Sequence, residues 1–264
     1  MLSISELSED VAAGFLGLFC DIDDTLTTDG KLPAVSYQAL WRLYDLGIQV
    51  IPVTGRPAGW CDLIVRQWPV TAVVGENGAF ALWQEGRRLQ RLLHPDVADP
   101  SVRQQLRAVE RAVLSEVHGS RVAQDQPYRL FDLAIDFCEE PPDLGMAAAE
   151  RIAAIFAREG ANAKISSIHV NGWFGAYDKL AMVRLFLREH FGVSLDDMRE
   201  NYTFCGDSPN DEPMFAYFPH ACGVANVTRF LGTLKHKPRY VTPSVGGQGF
   251  AEWVDMWLKK ARGR

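Results

Sequence analysis

The first strongly apolar run of the chain, Gly14-Phe15-Leu16-Gly17-Leu18-Phe19-Cys20, passes directly into Asp21-Ile22-Asp23-Asp24-Thr25-Leu26. An apolar stretch without polar alternation reads as a strand buried on both faces, as in a parallel sheet. After Ser36, Leu40, Leu43, Tyr44 and Leu46 recur at helical spacing, Gly47 stops the helix, and Ile48 to Val53 forms a second apolar strand. A helix over 58–67 leads to a third strand, Val70 to Val74, and to the turn Gly75-Glu76-Asn77-Gly78. Strand and helix alternating in this way predict an α/β fold with a Rossmann-like parallel-sheet core.

The pattern then changes. Ala79 to Trp83 and Leu89 to Leu93 suggest a hairpin around Gln84-Glu85-Gly86, and Asp99-Pro100 opens a helix striped by Val102, Leu106, Val109, Val113 and Val117. A strand over Leu130 to Phe137, a helix from Pro141-Pro142-Asp143 to Gly160 and a strand from Lys164 to Val170 follow. Residues 84–172 are therefore expected to form an inserted α+β cap, and residues 1–83 and 173–264 a discontinuous α/β core. The α/β rhythm resumes with a helix over 178–191 stopped by Gly192, a strand Tyr202 to Cys205, a short helix from Pro209, and short strands near Cys222-Val224 and Tyr240-Val241. Gly246-Gly247-Gln248-Gly249 is too glycine-dense for a helix interior and is expected to be the turn into a last helix, Phe250 to Lys260.

With 264 residues, 47% of them hydrophobic, the chain can bury a core large enough for two modest domains. Its net charge of -6 and the absence of a basic stripe interleaved with aromatics argue against nucleic acid as a partner. Five cysteines without C-x-x-C spacing fit a reducing compartment. Residues 1–30 carry no Lys or Arg, and no apolar stretch reaches membrane-spanning length, so a cytoplasmic protein that does not engage a membrane is expected, as a monomer or small homo-oligomer.

Four islands stand after strands or at helix starts, where an open parallel sheet places its ligand crevice. They are Asp21-x-Asp23-x-Thr25, Thr54-Gly55-Arg56, Asp178-Lys179 and Gly206-Asp207-Ser208-Pro209-Asn210-Asp211. Together they offer a nucleophilic carboxylate, a second carboxylate two residues on, a hydroxyl, an ammonium group and further acids. Phosphoryl transfer needs such a set: hard oxygen ligands for Mg2+ and donors for the phosphate oxygens. Each island has a simpler reading. The acids at 21–24 resemble an N-cap or a calcium loop, although the Gly and terminal Glu of a calcium loop are missing. Ser208-Pro209-Asn210-Asp211 makes a good helix cap, a role that leaves Asp207 free. Scattered histidines and the lack of a G-x-x-x-x-G-K-[ST] loop argue against a zinc site and a nucleoside triphosphate cradle.

In order and spacing, the four islands resemble the motifs of the haloacid dehalogenase superfamily of phosphohydrolases. The position of the insert and the turn Gly75-Glu76-Asn77-Gly78-Ala79 resemble its class II, subtype B (Cof-like) branch, which includes sugar-phosphate phosphatases and phosphomannomutases. The resemblance implies that Asp21 attacks phosphorus and becomes an aspartyl phosphate, and that Asp23 acts as the general acid and base. It further implies that Thr54 hydrogen-bonds the phosphoryl group and that Lys179 offsets its charge. Mg2+ would be held by Asp21, the backbone carbonyl of Asp23 and Asp207, with Asp211 as a further acid.

The expected activity is a Mg2+-dependent phosphatase for a small phosphorylated metabolite, a sugar or polyol phosphate such as mannosyl-3-phosphoglycerate or a disaccharide phosphate. Alternatives are a phosphomannomutase-like mutase and a phospho-accepting signalling receiver domain, the latter disfavoured by the large insert and by Asp23. Arg56, Asn77 and Asn210 on the core are candidate substrate contacts. Arg129, His169, Asn171 and Trp173 are weaker candidates on the cap, which is expected to move as a unit and close over the crevice.

Overall fold

A computed structural model describes residues 1–99, 101–166 and 168–263. Among them the strands are β1 (Leu2–Ser3), β2 (Gly17–Cys20), β3 (Gln49–Pro52), β4 (Ala72–Gly75), β5 (Phe80–Glu85), β6 (Arg88–Leu93), β7 (Arg121–Val122), β8 (Leu133–Asp136), β9 (Asn162–Ile165), β10 (His169–Trp173), β11 (Tyr202–Gly206), β12 (Cys222–Gly223) and β13 (Tyr240–Val241). The α-helices are α1 (Glu9–Gly14), α2 (Ala34–Asp45), α3 (Ala58–Gln67), α4 (Val102–Glu116), α5 (Gly145–Arg158), α6 (Lys179–Phe191), α7 (Leu195–Met198), α8 (Glu212–Tyr217) and α9 (Gly246–Ala261).

The core sheet runs β1-β13-β12-β11-β2-β3, and every one of these pairings is parallel. β2 lies between β11 and β3 and is buried along its whole length, which is why its sequence is uninterruptedly apolar. A parallel bridge between Val53 and Val74 carries the sheet on into β4, followed by the antiparallel hairpin β5 and β6. The expected core boundary at residue 84 therefore cuts β5, whose Trp83 pairs with Ala72 of β4. Phe80 and Leu82 pack into the core cluster, so the hairpin belongs to the core edge and the chain leaves it after Leu93.

A separate antiparallel sheet, β7-β8-β10-β9, forms the cap. On one face α4 and α5 cover it, with Val109, Val113, Ile152 and Phe156 meeting Leu133, Ile135 and Val170. His169, Asn171 and Trp173 alternate with Val170 along β10 and so occupy the opposite face. The stretch expected as one strand from Lys164 to Val170 is a hairpin between β9 and β10, closed by Ser166 N–H donating to His169 O at 2.8 Å. Ser167 in that turn and Pro100 ahead of α4 lie outside the described residues.

The glycine cluster at 246–249 is the first turn of α9 and not a preceding loop. A Cβ on Gly247 would stand 2.6 Å from Leu26 O and one on Gly249 2.2 Å from Ser244 O, so close backbone approach requires glycine there and outweighs its low helix propensity. The approach brings α9 against the segment that follows Asp21 to Thr25, with Gly247 N–H donating to Thr27 O at 3.2 Å.

Candidate active site

Three of the four islands follow parallel strands at the same sheet edge: Asp21 after β2, Thr54 after β3 and Asp207 after β11. Asp21 N–H donates to Cys205 O at 2.9 Å, continuing the β2–β11 ladder one residue beyond the strand and fixing the first carboxylate. The fourth island arrives on α6. Asp178 caps that helix by accepting from Ala181 N–H at 2.7 Å, which sets Lys179 at the first helical position. Gly78 permits the approach of this helix start to the core turn. Its φ is +109°, and a Cβ there would lie 2.1 Å from Asp178 O.

Lys179 Nζ donates to Asp21 Oδ1 at 2.7 Å and to Asp211 Oδ1 at 2.8 Å, and all three side chains are buried. Burial pushes Asp21 up to about 7; Lys179 opposes the rise, while Asp211 and Asp23 add to it. Burial alone would lower Lys179, but Asp21 and Asp211 outweigh it and hold the ammonium above its ordinary value. Asp207 is also raised, by burial and then by Asp211, Asp21 and Asp24.

Carboxylate oxygens of Asp21, Asp207 and Asp211 all lie within 4.8 Å of one another. That spacing and an all-oxygen donor set suit Mg2+, whose ligands stand about 2.1 Å from the metal. Asp211 is already engaged on both oxygens, by Lys179 on one and by the N–H groups of Asp207 (3.1 Å) and Ser208 (3.5 Å) on the other. Asp207 accepts from Thr25 Oγ1 at 3.2 Å through Oδ1. Among the described residues, Oδ2 of Asp21 and of Asp207 accept from no protein donor, which leaves these two oxygens open to a metal. Asp211 orients the ammonium and the loop.

Asp23 stands outside this cluster. Its carboxylate receives Arg56 Nε on Oδ2 and Arg56 Nη2 on Oδ1, both at 2.9 Å, in the two-pronged geometry that fixes the plane of a carboxylate. Arg56 also lies 3.5 Å from Glu139 and 3.7 Å from Asp125, both on the cap, and its guanidinium stacks 4.3 Å from the Trp60 ring. Arg56, a candidate substrate contact that lines the cavity, also links the acid–base candidate to the cap. Thr54 is wholly buried behind the cavity wall, its Oγ1 accepting from Arg56 N–H at 3.0 Å.

A small cavity of about 20 Å³ lies between core and cap. The core side presents Asp21, Asp23, Arg56, Asn77, Ser208 and Asn210; the cap side presents Arg129, Lys164, Ser166, His169 and Asn171. Asn77 Nδ2 is buried without a hydrogen-bond acceptor, and Asn210 accepts from Ser208 Oγ at 2.7 Å. Of the cap candidates, Arg129 is held by Asp125 and Asp132 and donates to Gly55 O of the core at 2.8 Å. His169 pairs with Glu139 at 2.7 Å, and Asn171 donates to Asp132 at 3.2 Å. The His169 bond is the main reason the Glu139 carboxyl stands low, at about 2, with Arg56 adding to the effect. Trp173 lies off this cavity, donating from Nε1 to Tyr177 O at 3.0 Å.

The sequence reading missed Lys164, Ser166 and Glu139. The apolar and polar alternation Ala163-Lys164-Ile165 carried the signal for Lys164, but reading 164–170 as one strand hid which face it occupies. A further tie was also missed: Glu76, fully buried, accepts from Ala58 N–H (3.0 Å) on the core and from Leu130 (2.8 Å), Phe131 (2.6 Å) and Asp132 (3.2 Å) N–H on the cap. The cap is therefore pinned to the core by polar contacts as well as by its two chain connections.

Residues 18–104 match the sequence model of haloacid dehalogenase-like hydrolases. Solved structures share the fold over nearly the whole chain. A Thermoplasma acidophilum protein superposes with a TM-score of 0.70 at 17% identity, covering 92% of this chain and 98% of its own. A trehalose-6-phosphate phosphatase C-terminal domain from C. albicans gives 0.71 at 15% identity, covering 96% and 97%. The sucrose-phosphatase of a Synechocystis species, solved with sucrose and phosphate, gives 0.62 at 16% identity, covering 92% and 98%. No curated protein matches the chain. Among the described residues no helix is long and apolar enough to cross a membrane.

Proposed function

We propose that this chain, a haloacid dehalogenase-superfamily hydrolase of Cof-like form, is a Mg2+-dependent phosphatase that cleaves the phosphate monoester of a small sugar or polyol. The observation that carries the reading is the buried contact of Lys179 with Asp21 at the end of β2, beside two carboxylate oxygens without protein donors. In this reading Asp21 attacks phosphorus, and a new P–O bond forms as the bond to the leaving alkoxide breaks. Asp23, which stands as a carboxylate against Arg56 in this structure, must part from that guanidinium and take up a proton, which it then gives to the alkoxide. It then takes a proton from the water that attacks the aspartyl phosphate, so that inorganic phosphate leaves and Asp21 is regenerated. Lys179, held by Asp211, balances the charge that Asp21 and the phosphoryl oxygens bring together. Mg2+, held by Asp21 and Asp207 with the Asp23 backbone carbonyl, would supply further charge neutralisation for the phosphoryl group.

The likeness to a sucrose-phosphatase and a trehalose-6-phosphate phosphatase supports a sugar phosphate, a disaccharide phosphate included, as the substrate class. The small cleft, lined by polar side chains, supports a small soluble metabolite over a macromolecule. The test is a phosphate-release screen across sugar, polyol, glycerate and nucleotide phosphates with Mg2+ present. Release from a sugar or polyol phosphate is expected, and phosphate returned to a sugar hydroxyl would indicate a mutase. Neither release nor transfer from any of them would sink the proposal.

A further inference from the structure

The charged groups around the cavity differ in how completely they are engaged. Arg56 is held by Asp23 with Glu139 and Asp125 nearby, Arg129 by Asp125 and Asp132, and Lys179 by Asp21 and Asp211. Lys164 also lines the cavity, yet among the described residues it has no carboxylate within 4.0 Å. Its position is set by the cap sheet. Ala163 and Ile165 pack against the cap core, so Lys164 occupies the other face of β9, directly across from Asn171 of β10.

Lys164 also borders a second, smaller recess that reaches Asp178 and Lys179. It shares that boundary with Asn77 and Asn210. Asn77 Nδ2 is buried there without an acceptor, an unfavourable state for a hydrogen-bond donor. An unpaired cation and an unpaired N–H donor on one boundary call for a ligand that only accepts hydrogen bonds. The transferring phosphoryl group is already provided for by Lys179 and the metal ligands at the core end. Lys164 approaches from the cap, where the rest of the substrate must lie.

We infer that the substrate carries a second anionic group, a carboxylate or a further phosphate, that Lys164 binds from the cap with Asn77 as an auxiliary donor. The inference rests on the phosphatase reading and narrows it from phosphate monoesters in general to those with two separated anions. A neutral sugar beyond the phosphate would leave Lys164 uncompensated and Asn77 Nδ2 unpaired.

The experiment compares glucose 6-phosphate with 6-phosphogluconate, which adds a carboxylate, and fructose 1,6-bisphosphate, which adds a phosphate. It is carried out on the intact protein and on Lys164→Met and Lys164→Arg. The quantity read is the ratio of kcat/KM for each dianionic probe to that for glucose 6-phosphate. The parent is expected to favour at least one by about tenfold or more, chiefly through KM, with Lys164→Met abolishing the ratio and Lys164→Arg largely restoring it. Which probe is favoured separates carboxylate from phosphate. The same ratio is read as binding constants on Asp21→Asn proteins with and without Lys164→Met, so the result does not depend on turnover. A ratio near one in the parent, or one that survives Lys164→Met, overturns the inference. Absence of turnover with the binding ratio intact would instead count against the phosphatase reading.

Discussion

Asp21→Asn should end turnover and, at the same time, make the metal-free protein more stable. Three carboxylates, Asp21, Asp207 and Asp211, crowd a buried volume in which Lys179 is the ammonium in direct contact with Asp21 and Asp211. Burial and its acidic neighbours raise Asp21 from 3.8 to about 7 even though Lys179 pulls the other way. An acid raised in this way binds its proton more tightly in the fold than in the unfolded chain. Its contribution is therefore most favourable below about 3.8, falls as pH rises, and is fully lost above about 7.

The gap between 3.8 and about 7 corresponds to about 4 kcal/mol as an upper figure. Asparagine has nearly the same volume and keeps one oxygen for Lys179 Nζ, so most of that penalty should disappear without a new cavity. Above neutral pH in chelator, the variant should gain about 2–4 kcal/mol, or roughly 5–15 °C in midpoint. Near pH 4 the gain should shrink towards zero. Asp207 titrates in the same environment, but subtracting parent from variant isolates the Asp21 share as far as the two sites are independent. The assay is thermal and denaturant unfolding followed by two probes, at several pH values, with and without Mg2+. Mg2+ should stabilise the parent more than the variant, because a ligand oxygen has been replaced. An Asp21→Asn protein no more stable than its parent at alkaline pH in chelator would refute the idea that the cluster stores unfavourable charge for a cation and a phosphate to relieve.

Chelation should eliminate phosphate release and Mg2+ should restore it, whereas Ca2+, with its looser and larger coordination, should restore little; full activity in excess chelator would remove the metal from the mechanism. Glu139 stands at about 2 because His169 and then Arg56 favour its charged form. A lowered acid stabilises the fold fully above its ordinary 4.5 and loses that contribution as pH falls towards about 2. The stability deficit of Glu139→Gln should accordingly be constant above about pH 5 and fade below it; a deficit that persists in strong acid would show that the contact acts by packing alone. Burial and Asp132 raise Glu76 to about 8, so below that pH Glu76→Ala removes an uncharged acceptor of four N–H groups and should cost about 2–4 kcal/mol. Amide exchange at residues 130–132 should accelerate well before that of β2, and equal protection in both proteins would mean that Glu76 does not tie the cap to the core.

The acidic centre was legible because its logic is local. An unbroken apolar run of the β2 kind must be buried on both faces, a parallel sheet aligns the ends of such strands at one edge, and polar residues following them therefore meet whatever the intervening chain does. Asp21, Asp207 and Asp211 come together for that reason, although they are up to 190 residues apart, and Lys179 joins them from the start of α6. The cap was harder to read, because its placement depends on polar pairs whose partners no periodicity links. Arg56 stands 83 residues from Glu139 and Glu76 stands 55 from Phe131. The hairpin after β4 looked like the start of the insert because its outer half is polar, yet Phe80 and Leu82 anchor it in the core. At 246–249 propensity pointed to a loop, and the closeness of Leu26 O and Ser244 O decided for a helix that only glycine could begin.

These differences share a direction. The candidate catalytic side chains at the strand ends sit where backbone geometry places them, whereas those that join cap to core are held by one another. Arg56 belongs to both groups, since the guanidinium that orients Asp23 also faces Glu139 and Asp125 across the interface. Any displacement of the cap must break those cap contacts and leaves Asp23 as the remaining carboxylate on Arg56. The contact with Asp23 is made within the core and outlasts such a displacement, so a substrate too large to let the cap seat would cost Arg56 its contacts to Glu139 and Asp125 while Asp23 stays paired with it.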